Sequence, residues 1–127
     1  MKDFKKYYTT SASPEDVYNA LTNPMVIELW SGEEAVMSET PESEFSLWEG
    51  SITGKNLAFE KNKMLQQQWY FDDQQEPSIV TIKLHAADPG TSIELRHTNI
   101  PDEHFDNITE GWTESYFASV CEFLDDL

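Results

Sequence analysis

A chain of 127 residues, 39% hydrophobic and 13% aromatic, has the material for one core and one domain spanning 1–127. Its 24 acidic residues against 8 basic ones leave a net charge of -16, a field that repels phosphate and argues against nucleic acid and anionic membranes as partners. The single cysteine, Cys121, excludes an intrachain disulfide, and no apolar run reaches the ~18 residues of a membrane span.

Lys2, Lys5 and Lys6 near the N-terminus are not followed by the apolar run of a secretion signal, so the expected location is the cytoplasm. Residues 4–10 are aromatic and β-branched and read as a first strand. Ser13-Pro14-Glu15-Asp16 then starts a helix. Ser13 is placed to cap, Pro14 suits the first helical position, and Asp16 completes an acidic capping box. Ala12 and Val17 stand where a hydrophobic staple forms. The helix runs through Val17, Ala20 and Leu21 until Asn23-Pro24 breaks it. Residues 26–30 predict a second short helix with Val26, Leu29 and Trp30 inward.

From 35 to 97 the period changes to that of strands. Phe45-Ser46-Leu47 alternates, and the run from Gly50 to Gly54 reads as its continuation, the glycines marking a bulge or a close backbone approach. Residues 63–71 predict a long strand with Leu65, Gln67, Trp69 and Phe71 on one face. A polar turn is predicted over 72–77, then a strand over 79–85 with Val80, Ile82 and Leu84 sharing a face. Asp88-Pro89-Gly90 signals a hairpin, after which Ile93, Leu95 and His97 alternate with Glu94 and Arg96.

Residues 102–125 predict one long helix. Phe105, Ile108, Trp112, Tyr116, Val120 and Phe123 recur at three- and four-residue steps, opposite Asp106, Glu110, Glu114 and Glu122. Gly111 in its middle implies a packing reason, such as close approach to the sheet. The order is one strand, two short helices, a run of antiparallel strands and a long helix. It predicts an α+β, helix-grip fold: a curved antiparallel sheet of about six to seven strands wrapped on the C-terminal helix.

Several motifs occur in that same order: Ser13-Pro14-Glu15-Asp16-Val17-Tyr18 with Leu21-Thr22-Asn23-Pro24, then Phe45 to Gly54, Gln68-Trp69 and Val80 to Leu84. Asn99-Ile100-Pro101 and Gly111-Trp112-Thr113-Glu114-Ser115-Tyr116-Phe117 complete the set. Together they resemble the activator-of-heat-shock-protein-90-ATPase homologue family, of the START-like superfamily that includes the birch-pollen allergen. The resemblance covers nearly the whole chain and corresponds to that family's C-terminal domain. Asn99 stands where the family has the glycine of Gly-Ile-Pro. Members of the superfamily bind lipids, steroids or proteins, and some are enzymes.

The chemistry-bearing residues favour binding over catalysis. His85, His97 and His104 share no metal-ligand spacing, and no metal or cofactor is expected. There is no nucleophile elbow and no phosphate loop, and Cys121 has no cationic neighbour in the sequence to activate it. The pairs Glu33-Glu34, Asp72-Asp73 and Asp125-Asp126 read as solvated acids. His97 falls on an inward face, either as a core histidine bonded to its neighbours or as a ligand contact. The candidate cavity is lined by Trp30, Phe45, Leu47, Gln67, Trp69, Phe71, Val80, Ile82, His97, Ile108, Trp112 and Tyr116. A filled core and a lined cavity have the same alternation, so both stay open. Two partners follow: a hydrophobic small molecule in that cavity, or a protein such as a chaperone with a basic face that meets the acidic surface.

Overall fold

In the computed structural model, which describes residues 1–72 and 76–127, one six-stranded sheet carries the whole arrangement. In chain order the elements are β1 (Lys2–Thr10), α1 (Pro14–Thr22), α2 (Pro24–Ser31), β2 (Glu44–Leu47), β3 (Ile52–Glu60), β4 (Met64–Trp69), β5 (Ser78–Ala86) and β6 (Thr91–Ile100). A single 3-10 turn (Asp102–His104) leads into α3 (Phe105–Gly111), a π-helical turn (Trp112–Tyr116) and α4 (Phe117–Asp125). The sheet order is β1-β6-β5-β4-β3-β2, antiparallel throughout. The fold is α+β, a curved sheet gripping the C-terminal helix. The turn expected over 72–77 falls largely on 73–75, outside the described residues.

Local chemistry accounts for the element ends. The Asp16 amide donates to Ser13 Oγ at 3.2 Å, with Pro14 in the first turn, so α1 starts where its cap residue places it. Asn23 closes α1 and also caps α2, its Oδ1 accepting from the Met25 amide at 3.0 Å. That cap sets the phase of α2, so Ile27 and Trp30 face the core. Leu29, expected inward, is 69% exposed. Asn99 takes φ +57°, a left-handed conformation that asparagine tolerates, and its side chain donates to the Pro77 carbonyl at 3.0 Å.

The inner face of the sheet is built in cross-strand rows. Phe45, Gly54, Trp69 and Ser78 are successive partners, and so are Asn56, Gln67, Val80 and His97. Gly54 is the glycine that permits close approach. A Cβ there would lie 2.0 Å from the Gln68 carbonyl oxygen and 2.7 Å from the Phe45 ring.

Four expectations need correction. Residues 50–51 do not continue the strand: Trp48, Glu49 and Gly50 take φ of 50°, 53° and 91°, and this left-handed run turns β2 back as β3. Phe71 lies beyond the end of β4 and only packs against the core from outside it. The C-terminal helix is interrupted by its π turn, where the Phe117 amide bonds to the Trp112 carbonyl. The inserted residue shifts the buried stripe, which runs Trp112, Tyr116, Phe117, Val120, Leu124, while Phe123 is only partly buried. Gly111 does not approach the sheet; a Cβ there would meet nothing within 4 Å.

Candidate functional site

The space between sheet and helix divides into a sealed part and an open part, with Trp112 at the boundary. On the sealed side His97 is fully buried, although a histidine at the end of an alternating strand could have faced solvent. Trp112 Nε1 donates to His97 Nδ1 at 3.0 Å, so Nδ1 carries no proton and Nε2 does. Nε2 in turn contacts Ser78 Oγ at 2.8 Å, and Ser78 Oγ donates to the Thr98 carbonyl at 3.2 Å. The imidazole is thereby fixed in one neutral tautomer. Burial pushes its pKa down to about 3, opposed only weakly by the charge of Asp3.

A second buried chain runs along the neighbouring strands. Trp69 Nε1 donates to Gln67 Oε1 at 3.2 Å, and Gln67 Nε2 donates to Asn56 Oδ1 at 3.0 Å. Asn56 Nδ2 continues to the Ser38 carbonyl at 3.2 Å and Ser43 Oγ at 3.1 Å. This chain orients the Trp69 indole, which stacks on Trp112 at 4.6 Å between centroids. Asn56 escaped the sequence reading because a polar residue on a strand reads as outward; the shift in β3 pairing after Asn56 gave no sequence signal.

On the other side of Trp112 a cleft of about 310 Å³ opens between the C-terminal helix and the β2–β3 turn. Trp69, Trp112, Tyr116 and Trp48 supply aromatic walls, and Ile52 and Ile108 supply aliphatic ones. Asn107, Gly111, Ser115 and Ser51 form the rest of the lining, which is mainly apolar. Trp48 lies 5.6 Å from Trp30 and 6.0 Å from Tyr116, both edge-on. Its left-handed backbone is what turns it inward, and the Trp48-Glu49-Gly50 run was the available signal for that turn.

Of the residues expected to line a cavity, Trp69, Ile108, Trp112 and Tyr116 line this cleft. Trp30 packs behind it, on Trp48 and Tyr116, with its Nε1 donating to the Ala20 carbonyl at 2.8 Å. Phe45, Leu47, Gln67, Val80, Ile82 and His97 are buried in the core away from it. Phe71 lies against His97 and His104, at 6.2 and 5.6 Å.

Tyr116 is the polar group of most interest here. It is only 4% exposed and lines the cleft, and burial raises its pKa above the ordinary phenol value. Among the described residues no hydrogen bond to its hydroxyl is present, and no fully sealed side-chain polar atom lacks a partner. The hydroxyl is therefore reachable through the cleft and unpaired. The π turn that carries Tyr116 and Trp112 is a rare distortion, frequent at functional sites. A broader depression of about 740 Å³ beside Lys63, Lys83 and His85 is more open and has no such buried polar group.

The chain matches the family model described as Activator of Hsp90 ATPase homolog 1-like protein over residues 11–124. It belongs to that family. A Dictyostelium discoideum activator of 90 kDa heat shock protein ATPase homolog is 29% identical over 111 residues, covering 85% of this chain and 29% of the relative. The chain thus spans about a third of the length of the curated relatives it matches. An Hsp90 activator from Plasmodium falciparum superposes with a TM-score of 0.82 at 25% identity, over 94% of both chains. The Aha1 dimer of Colwellia psychrerythraea has a TM-score of 0.86 at 18% identity, over 98% of this chain and 97% of that one, a likeness of fold.

Proposed function

We propose that this family member is a non-catalytic binding domain over 1–127 that holds a hydrophobic small molecule in the cleft between the C-terminal helix and the β2–β3 turn. One observation carries the reading: an aromatic cleft of about 310 Å³ keeps a single, nearly buried, unpaired hydroxyl, that of Tyr116. Apolar walls supply affinity, and one or two polar groups fix orientation. The domain works in the cytoplasm. No helix among the described residues is long and apolar enough to cross a membrane.

The test is native mass spectrometry of the purified protein joined to a thermal-shift screen of apolar ligands, on the wild type and on Gly111→Leu. Gly111 is helical, with φ -60°, and has open space at its Cβ, so a leucine fills the cleft without straining the backbone. A ligand at about a hundred times its Kd should raise the Tm by roughly 10 °C in the wild type and far less in the variant. If no apolar ligand of any class stabilises the wild type, this function is wrong.

A second reading draws on the Plasmodium falciparum relative, whose name is that of an Hsp90 activator, and on the charge of -16. In it the chain acts as a co-chaperone-like regulator whose acidic surface meets a basic protein face. Salt-sensitive association with purified Hsp90, and a change in its ATPase rate, would support it. No association at low or moderate salt would remove it.

A further inference from the structure

We propose that the molecule held in this cleft is a flat aromatic cation: a fused-ring or aryl body with a protonated or quaternary nitrogen. The inference rests on the ligand-binding reading above and adds the charge class of the ligand.

The walls make the first argument. Trp69 and Trp112 stack at 28°, while Trp48 and Tyr116 stand at 63° to each other. The cleft is therefore walled by rings set in more than one direction. A flat body packs against such walls, and the negative quadrupole of a ring face attracts a cation placed over it.

The polar groups make the second. No lining residue carries a formal charge. The Tyr116 hydroxyl, with both lone pairs free, can accept from an N–H donor deep in the cleft. Ser51, Asn107 and Ser115 add neutral oxygens nearer solvent.

The charge of the chain makes the third. Exposed acids flank the lining positions in the chain: Glu49 beside Trp48, Glu110 beside Gly111, and Glu114 beside Ser115. The neighbouring Glu49 raises the pKa of Glu33, so two carboxyl groups crowd next to the Trp48 turn. Three of the eight basic residues have partners of their own. Lys6 reaches Thr113 and the Tyr8 ring, Lys55 pairs with Glu42, and Lys2 lies over Phe105. With a net charge of -16 on the chain, an anion approaches the cleft against the field and a cation approaches down it.

The experiment is isothermal titration of three matched probes near neutral pH and about 0.15 M salt, where the Debye length is about 8 Å. The probes are the aminoacridine cation, neutral acridine and the acridine carboxylate anion. The wild type should bind the cation about tenfold more tightly than neutral acridine, the size of one desolvated cation–π contact, and the anion most weakly. Gly111→Leu, checked for folding by circular dichroism, should weaken the cation at least tenfold, and Tyr116→Phe should weaken it less. Equal affinity for cation and neutral probe, both lost in Gly111→Leu, overturns the charge class and leaves the cleft reading intact. Cation binding unchanged by Gly111→Leu is adsorption to the acidic surface and overturns the proposal. If no acridine binds while the wider apolar screen still yields a stabilising ligand, the aromatic-cation class is wrong and the cleft is not.

Discussion

The two sides of Trp112 are made from the same kinds of residue and end in opposite states. On the His97 side every polar group is tied. The imidazole is held between Trp112 and Ser78, and the Gln67–Asn56 amides run on to Ser38 and Ser43. On the Tyr116 side the rings pack on one another, but a phenol is unpaired among the described residues and a glycine faces empty space. Burying a polar group costs little when it is bonded and about 1–3 kcal/mol when it is not. Asn56 and Gln67 meet that condition through their bonded chain, whereas the Tyr116 hydroxyl is spared the penalty because it is open to the cleft.

The sharpest way to break that contrast is acid. His97 stays neutral in the folded protein to about pH 3, whereas in the unfolded chain it takes a proton near its ordinary pKa of ~6.5. Above ~6.5 both states are neutral and the group contributes nothing to the pH dependence. Between ~6.5 and 3 the unfolded chain binds the extra proton, so stability falls as pH falls, by on the order of 4 kcal/mol over the window. Urea midpoints of wild type and His97→Gln measured between about pH 7 and 5 should diverge, with the wild type losing more. Parallel curves would mean that His97 is solvated and the sealed side is not sealed.

Next in size is Gly54→Ala. Its methyl group would meet the Gln68 carbonyl at 2.0 Å, and β3 cannot move without breaking its ladder to β4, so a loss of about 3 kcal/mol is expected in denaturant titration. Asn56→Leu should cost about 2 kcal/mol, because it leaves the Gln67 amide buried without its acceptor. Gly111→Ala, on the open side, should do the reverse and gain up to about 1 kcal/mol, the helix propensity of alanine with no steric charge against it. A destabilised Gly111→Ala would show that the cleft closes on this residue in solution.

The two glycines also show what could be read from the chain. The sequence of elements along the chain, the Ser13 cap and the inward rows of β4, β5 and β6 were legible because alternation and capping are local signals. A glycine, by contrast, has no side chain whose period can be followed. Gly54 and Gly111 looked alike in the sequence, yet one admits a neighbouring strand and the other admits nothing from the protein. Trp48 was hidden for a related reason. Its inward turn depends on three left-handed residues in succession, whereas alternation from Phe45 and Leu47 pointed it outward. The π turn moved burial onto Phe117 and Leu124, because a single inserted residue shifts the helical phase and a heptad-like count cannot see it. Trp69, Ile108, Trp112 and Tyr116 could be named in advance, but not the empty space beside them, since a filled core would use the same residues.

The smallest expected effect is the most informative about that space. Tyr116→Phe deletes a hydroxyl that bonds to nothing among the described residues, so stability should change by less than about 0.5 kcal/mol. Tyr18→Phe is the matched control. Its hydroxyl donates to Glu39 at 2.8 Å, so its loss should cost about 1 kcal/mol. Should Tyr116→Phe cost as much as Tyr18→Phe, the phenol already has a strong partner in the unliganded protein, and a ligand could use it only by displacing that partner. With a near-zero cost, its orientation is maintained by ring packing against Trp30, Trp48, Trp112 and Phe117. The hydroxyl then contributes nothing to the fold, and its free energy is available to whatever enters the cleft.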